Sequence, residues 1–342
     1  MFFGLYLFSM ISLLSCNDDT REVNHPETIA SINENTTSWV AGENLKFKNM
    51  KINETRKLMG YKKDTPKVKA LPYKAVRVIE QLPENFDLRQ QWPQCEALRE
   101  VSDQSACGSC WAMGAASVMS DRICIASRGQ LQTRISAEYL NSCCWFCGQG
   151  CGGGEPGAAF EFWKTNGIPS GGLYGDKSTC QPYRFPPCGH HTNGKYAKCQ
   201  EADLATPQCQ NTCQQGYPLT LNQDKWFAKS AYIIPQDEKS IMTEIYKHGS
   251  VETCYNFYED LLYYKSGVYH YTQGGDLGGH CVKMIGWGVE NGVKYWLLVN
   301  SWNEEWGEKG TFKFLRGVNH LNIEGEVIAG IPFLNQPPRF LS

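Results

Sequence analysis

A chain of 342 residues with 42% apolar content can bury a large core, in one big domain or in two lobes. Its 33 Lys and Arg against 35 Asp and Glu leave a net charge of −2, which offers no electrostatic footprint for nucleic acid and reads as a solvated surface. Sixteen cysteines, several in close clusters, point to an oxidising compartment rather than the cytosol, with a cysteine-rich zinc protein as the alternative.

The first residues, Met1–Ser15, are apolar, uncharged and too short to cross a bilayer comfortably. They read as a signal peptide ending at residue 16 that lacks the usual positive start, while Leu13-Leu14-Ser15-Cys16 also fits a bacterial lipoprotein cleavage site. No later stretch is apolar for long enough to span a membrane, so an exported, membrane-free chain is expected. Residues 17–81 form a lysine-rich segment with no cysteine after Cys16 and two glycosylation sequons, at Asn35 and Asn53. Ile29, Ile32 and Trp39 suggest a short amphipathic helix followed by an extended arm. This segment is either a flexible linker or an inhibitory propeptide placed ahead of a nucleophile.

Composition changes near Leu82-Pro83, where apolar, aromatic and cysteine content rise, so the main domain is expected to start there and run to residue 335, with a tail over 336–342. From Trp111 to Ile125 the apolar residues Trp111, Ala115, Val118, Met119 and Ile123 recur at spacings of three and four, which predicts a helix with a buried face. Gly129 sits just beyond, where a left-handed cap costs little. Cys110 then lies in the first helical turn, where unpaired backbone N–H groups favour a thiolate. The Cys107-Gly-Ser-Cys110 spacing also fits a redox pair or half of a zinc site.

Downstream, Cys144–Gly154 ends in a glycine run, Gly152-Gly153-Gly154, with no strand and helix to frame a phosphate. Backbone open to an extended peptide is the better reading of Gly153 and Gly154. Residues 175–217 hold five cysteines with many Pro and Gly, the signature of a disulfide-stapled insertion. After Lys229 short β-rich runs alternate with turns at Ala231–Ile234, Val251–Tyr258, Gly267–Tyr271, Cys281–Trp287, Tyr295–Asn300 and Thr311–Arg316. A helical half followed by a β half leaves a cleft between lobes for an extended ligand.

A nucleophilic cysteine needs a base from elsewhere in the chain. Cys107-Gly-Ser-Cys110-Trp111, followed by Gly279-His280 and by Asn300-Ser301-Trp302, resembles the nucleophile, base and orienting groups of the papain family. From Leu82 to Pro332 the chain further resembles cathepsin B-like cysteine peptidases, in Trp92-Pro-Gln-Cys95, Ser120-Asp-Arg-Ile-Cys124, Pro187-Cys-Gly-His190-His191, Gly286–Gly292 and Val327–Ile331. Asn35-Thr-Thr-Ser-Trp39-Val-Ala-Gly42 resembles the short propeptide of that group.

The resemblance implies an α+β, papain-like fold, with a helical left lobe, an antiparallel β-barrel right lobe and the cleft between them. It implies a Cys110 nucleophile, a His280 base, Asn300 holding the imidazole under Trp302, and Gln104 as an oxyanion donor. An insertion at about 185–200, carrying His190 and His191, is expected to bind a substrate's C-terminal carboxylate, with His190 pairing to Asp103. Tyr196 and Gly189 depart from the family pattern there, which predicts a looser loop and a larger endopeptidase share. Glu326 is expected at the floor of the second specificity subsite, where it accepts Arg or leaves room for an aromatic side chain.

The implied bridges are Cys95–Cys124, Cys107–Cys151, Cys143–Cys209, Cys144–Cys147, Cys180–Cys213 and Cys188–Cys199. Cys254 and Cys281 replace alanines that line the second subsite, and are either small buried residues or a seventh bridge. Ser105, Gly152 and Glu155 also depart from the family pattern. The implied partners are peptide and protein substrates, the chain's own propeptide and cystatin-type inhibitors, for a monomer in the lysosome or outside the cell that needs no cofactor or metal. Two rival readings remain at this stage, a weakened homologue that only binds, and a disulfide oxidoreductase using Cys107 and Cys110.

Overall fold

The computed structural model describes residues 20–62, 71–189, 195–199 and 204–334. The expected signal peptide, His190, His191 and the tail 336–342 therefore lie outside the described residues. The N-terminal segment carries α1 (Pro26–Asn35), β1 (Trp39–Ala41) and α2 (Ile52–Thr55). The helical part follows β2 (Phe86–Asp87) and α3 (Leu88–Gln91), with α4 (Cys110–Ala126), α5 (Ala137–Cys143) and α6 (Pro156–Thr165). A small ribbon of β3 (Cys188–Gly189) and β4 (Ala197–Lys198) precedes α7 (Leu221–Asp224), β5 (Ala228–Ile234) and α8 (Glu238–His248). The β half comprises β6 (Val251–Tyr258), β7 (Tyr264–Tyr269), β8 (Asp276–Glu290), β9 (Val293–Val299), β10 (Thr311–Leu315) and β11 (Val327–Pro332).

The main sheet runs β1-β7-β10-β9-β8-β6-β11-β5, with β2 paired to β8. Its pairs are antiparallel except β10 with β7. No pairing among the described residues joins β1 to β5, so the β lobe is described as a sheet and not as a closed barrel. Each of the six expected β runs meets a strand; Ala231–Ile234, Val251–Tyr258 and Cys281–Trp287 lie wholly within one, while the runs expected to end at Tyr271, Asn300 and Arg316 overrun β7, β9 and β10 by one or two residues. Glu238–His248, left unassigned among them, is a helix because the Asp237 side chain caps it by accepting from the Ser240 amide at 2.8 Å.

Two cores meet at the cleft. One, on the sheet, buries Trp287, Trp296, Trp302 and Trp306, and the other gathers α4, α5 and α6 around Trp111 and Trp163. Fifteen of the 17 residues of α4 are buried, so this helix is wrapped on all sides rather than amphipathic at the surface. Arg122 crosses from α4 to the sheet fully buried. Its guanidinium donates to the Ser250, Gly249 and Gly330 carbonyls, to Tyr232 Oη and to Glu244 Oε1 at 3.0 Å. Against burial, which pushes it up, the Arg122 charge, the Tyr232 hydroxyl and the Lys74 ammonium hold the Glu244 carboxyl down to about 2.

Seven bridges are formed, Cys95–Cys124, Cys107–Cys151, Cys143–Cys209, Cys144–Cys147, Cys180–Cys213, Cys188–Cys199 and Cys254–Cys281. Among the described residues Cys110 alone is a free thiol. Removing the Arg122 cation would leave buried Glu244 with Lys74 and Tyr232 only and three buried carbonyls without their donor, so Arg122→Leu should lower unfolding free energy by roughly 3–5 kcal/mol in denaturant titrations.

Candidate active site

Cys110 opens α4 and is completely buried. The loop before it doubles back through Cys107–Cys151, and the Gly108 amide donates to the Cys151 carbonyl at 3.0 Å. The C-x-x-C spacing is thus divided, with one sulfur locked and one left reactive. Gln104 is anchored on three sides. Its amide donates to the Ser301 carbonyl at 2.9 Å, its Oε1 accepts from Ser301 Oγ at 2.7 Å, and its carbonyl accepts from Tyr183 Oη at 3.0 Å. The Nε2 donor is thereby aimed into the cleft beside Cys110. Ser105 has φ +58°, a left-handed conformation that favours glycine, held by its amide on Asp103 Oδ1 and by Oγ 3.2 Å from Cys188 Sγ.

From the other lobe, His280 on β8 meets Asn300 just after β9, with Nε2 2.7 Å from Oδ1. The Trp302 ring lies 4.7 Å from the imidazole and is fully buried, which excludes water from that hydrogen bond. The second imidazole nitrogen, Nδ1, has no partner with hydrogen-bond geometry among the described residues.

The cleft is filled by the chain's own N-terminal segment. Gln104 Nε2 donates to the Leu58 carbonyl at 2.9 Å, so that oxygen sits where an oxyanion would be stabilised. Two residues on, Gly60 overlies the thiol. A Cβ added there would overlap the Gly108 carbonyl and lie 3.2 Å from Cys110 Sγ, so only glycine fits. Gly154 donates to the Gly60 carbonyl at 2.8 Å, Tyr61 donates to the Gly279 carbonyl at 3.0 Å, and Lys62 donates to Gly154 at 3.2 Å. Gly153, at φ +104°, presents that wall to the backbone of the segment. Tyr61 Oη then donates to Glu326 Oε2 at 2.5 Å.

At the opposite end of the cleft, Lys46 is buried with its ammonium 3.0 Å from both Asp103 carboxylate oxygens and 2.7 Å from the Cys188 carbonyl. Phe47 stands edge-on to Trp302. Asp103, expected to serve His190, is here occupied by Lys46, by Asn303 Nδ2 at 2.7 Å and by the Cys188 and Ser105 amides.

Comparison with known proteins decides the family. Residues 82–331 match the family described as papain family cysteine protease. A cathepsin B-like cysteine proteinase of Schistosoma japonicum is 42% identical over 96% of this chain and 98% of its own length. Cathepsin B-like cysteine proteinase 6 of Caenorhabditis elegans is 42% identical over 93% of this chain and 86% of its own. The chain belongs to the papain family of cysteine proteases. Among solved structures, procathepsin B S9 of Trypanosoma congolense superposes with a TM-score of 0.78 at 38% identity, covering 90% of this chain and 98% of that one. This cysteine peptidase therefore carries a propeptide, and the segment in its cleft corresponds to it.

The propeptide sets the charge state of the site. Burial pushes the Cys110 thiol up to about 11, with the Glu252 carboxyl adding to it, against the Cys281, Gly60 and Trp111 amides. Burial likewise pushes His280 down to about 4, only partly countered by Asn300 and the Leu58 carbonyl. The helix N-terminus was expected to favour a thiolate; in the closed cleft desolvation outweighs it, and the pair stands as neutral thiol and neutral imidazole.

Glu326 is half-buried at the edge of the cleft. Cys254 and Cys281, the latter immediately after His280 in sequence, face each other across β6 and β8, and both are buried. Glu155, 8% exposed, occupies the N-cap position of α6 behind the glycine wall without a side-chain capping bond. Asn35 and Asn53 are exposed on the propeptide. Sequence reasoning did not find Lys46, Leu58, Gly60, Tyr61 or Ser301, because most of their contacts use backbone atoms. At pH 7 a thiol at about 11 is roughly one part in ten thousand thiolate, so alkylation of Cys110 should be very slow in the intact chain. Gly60→Ala should unseat the segment and raise the alkylation rate at least ~10-fold, followed by mass spectrometry.

Proposed function

We propose that this peptidase is a secreted zymogen that cleaves peptide bonds through a Cys110 thioester, and that the propeptide rests in the cleft in place of a substrate. The single observation that carries the reading is the Leu58 carbonyl held by Gln104 Nε2 beside Cys110. With the propeptide gone, His280 takes the Cys110 proton to form the reactive pair, and later gives it to the leaving amine. Asn300 holds the imidazole so that Nδ1 faces the sulfur, and Gln104 Nε2 with the Cys110 amide receives the developing oxyanion.

In this reading the domain begins near Leu82, and the stretch 17–81 is removed on maturation. Acid favours that step. His280 is neutral in the closed cleft, at about 4, against an ordinary value of 6.5. For an imidazole that opens to its ordinary value, closure is fully supported above pH 6.5 and weakens as pH falls towards 4, while pairing with the Cys110 thiolate in the open cleft reduces that difference. Such a dependence suits a lysosomal or acidified extracellular setting, and no helix among the described residues is long and apolar enough to cross a membrane. A monomer checked by cystatin-type inhibitors completes the proposal.

For specificity, the contact of Tyr61 with Glu326 supports a second subsite that takes an aromatic ring, and the carboxylate supports Arg in the same place. The insertion at 185–200, by its resemblance to an occluding loop with His190 and His191, adds dipeptidyl carboxypeptidase activity to the endopeptidase.

Cys110→Ala should abolish hydrolysis of peptide substrates, and Gln104→Ala should lower kcat by ~100–1,000-fold with KM little changed. Residual cleavage by the Cys110→Ala protein would sink the assignment. Pairing a free-carboxylate substrate with its amide in the same assay reads the exopeptidase share. Glu326→Gly should cut kcat/KM for substrates with Arg at the second position by ~10-fold or more while sparing Phe; equal losses for both would refute the subsite role.

A further inference from the structure

Beneath the second subsite lies a group of side chains that the peptidase reaction does not use. On β6, Glu252 and Cys254 are two residues apart and so share one face of the strand. Cys281 stands directly opposite Cys254 on β8, and Lys283 directly opposite Glu252. Lys283 does not pair with that acid, because its ammonium turns to Asp121 at 3.1 Å and to the Ala97 carbonyl. Glu252 is left completely buried, and neither carboxylate oxygen has a hydrogen-bond partner among the described residues. The Ala115 amide lies on that side without the geometry of a hydrogen bond.

The carboxylate is not there by default. Room for it exists because α4 carries Gly114 at the crossing, where a Cβ would come within 2.6 Å of Oε1. One Glu252 oxygen and the two sulfurs all lie within 4.8 Å of one another, the sole cluster of three such donors among the described residues. A tetrahedral thiophilic cation with bonds of about 2.0–2.3 Å needs its donors roughly 3.3–3.8 Å apart. The carboxylate oxygen is within 4.8 Å of both sulfurs and closes on that spacing by a small side-chain shift, while the sulfurs separate to it once their bond is opened.

We propose that the Cys254–Cys281 bridge is reducible and that its dithiol form, with Glu252, binds a divalent thiophilic cation such as Zn²⁺. The reductant belongs to the class of low-molecular-weight thiols. Two such thiols become one disulfide while the Cys254–Cys281 bond breaks to two thiols. Metal binding then releases three protons to solvent, one from each thiol and one from the buried Glu252 acid, whose carboxylate completes three protein ligands, with a water as the fourth. The bound cation neutralises the acid and keeps the bridge from closing again. It acts on the strand that carries His280 without touching the imidazole.

The test uses the full-length chain with Cys110→Ala, which removes the catalytic sulfur and any self-processing. The chain is reduced with a phosphine, its free thiols are mapped, and it is titrated with Co²⁺. One Co²⁺ per chain is expected, with a near-ultraviolet thiolate-to-cobalt charge-transfer band and the visible bands of a tetrahedral site. The band should vanish in Cys254→Ala, and Glu252→Gln should weaken binding by more than about 10-fold. Absence of the band when both thiols are free overturns the proposal. So does a band that survives Cys254→Ala, an undiminished affinity in Glu252→Gln, or a bridge that phosphine leaves closed in the folded protein. None of these outcomes depends on peptidase activity.

Discussion

Every contact in the cleft depends on helix α4 being immobilised along its whole length. A helix with both termini exposed would offer Cys110 on a fraying first turn. Here the N-terminal side is tied by Cys107–Cys151, the C-terminal side by Cys95–Cys124, and the middle by Arg122 reaching through the core to Glu244 and three backbone carbonyls. Placing a guanidinium in that core carries a desolvation cost, offset only because each of its donors has a partner. The reward is positional. The thiol, the Gln104 donor and the His280–Asn300 pair come from different parts of the chain, yet meet with hydrogen-bond distances of 2.7–2.9 Å at the two ends that are bonded.

Given that rigid frame, one short stretch of backbone suffices, on the function proposed above, to block the site. Leu58 satisfies the oxyanion donor, Gly60 covers the sulfur, and the removal of water does the rest. The same burial that would strengthen an ion pair by lowering the local dielectric instead raises the thiol and lowers the imidazole, because neither charge finds a compensating partner in the closed state. Two effects of opposite sign act on Cys110, the helix N-terminus and desolvation, and in the closed cleft desolvation prevails.

Much of this was legible in the residues. The three-and-four spacing from Trp111 to Ile125 located α4 to within a residue at each end, and the run Val251–Tyr258 coincides with β6. Cys110, His280, Asn300 and Gln104 announce themselves by residue type and order. The inhibitory contacts do not, since Leu58, Gly60 and Lys62 act through carbonyls and amides that every residue possesses. Lys46 is one lysine among many in its segment, and only the fold sets it against Asp103. Helix α8 was obscured by its place among β-rich runs. Pairing of Cys254 with Cys281 required the register of β6 against β8, which side-chain pattern alone leaves open.

Chain direction explains why the propeptide can occupy the oxyanion donor without being cut. The segment enters with Lys46 at Asp103 and Cys188, passes Leu58 at Gln104 and Gly60 at Cys110, and leaves with Tyr61 at Glu326 and Lys62 at Gly154. On the reading proposed above, a substrate runs the other way, its N-terminal side against Gly153, Gly154 and Glu326 and its C-terminal side toward the loop closed by Cys188–Cys199. A reversed chain can present one carbonyl oxygen to Gln104, but the atom it lays over the sulfur is the Gly60 backbone two residues away, not the carbon bonded to that oxygen. The donor and the nucleophile are thus both engaged, each by a different peptide group. Attack needs one peptide group to meet both, and the propeptide's direction denies that geometry for as long as the segment stays seated.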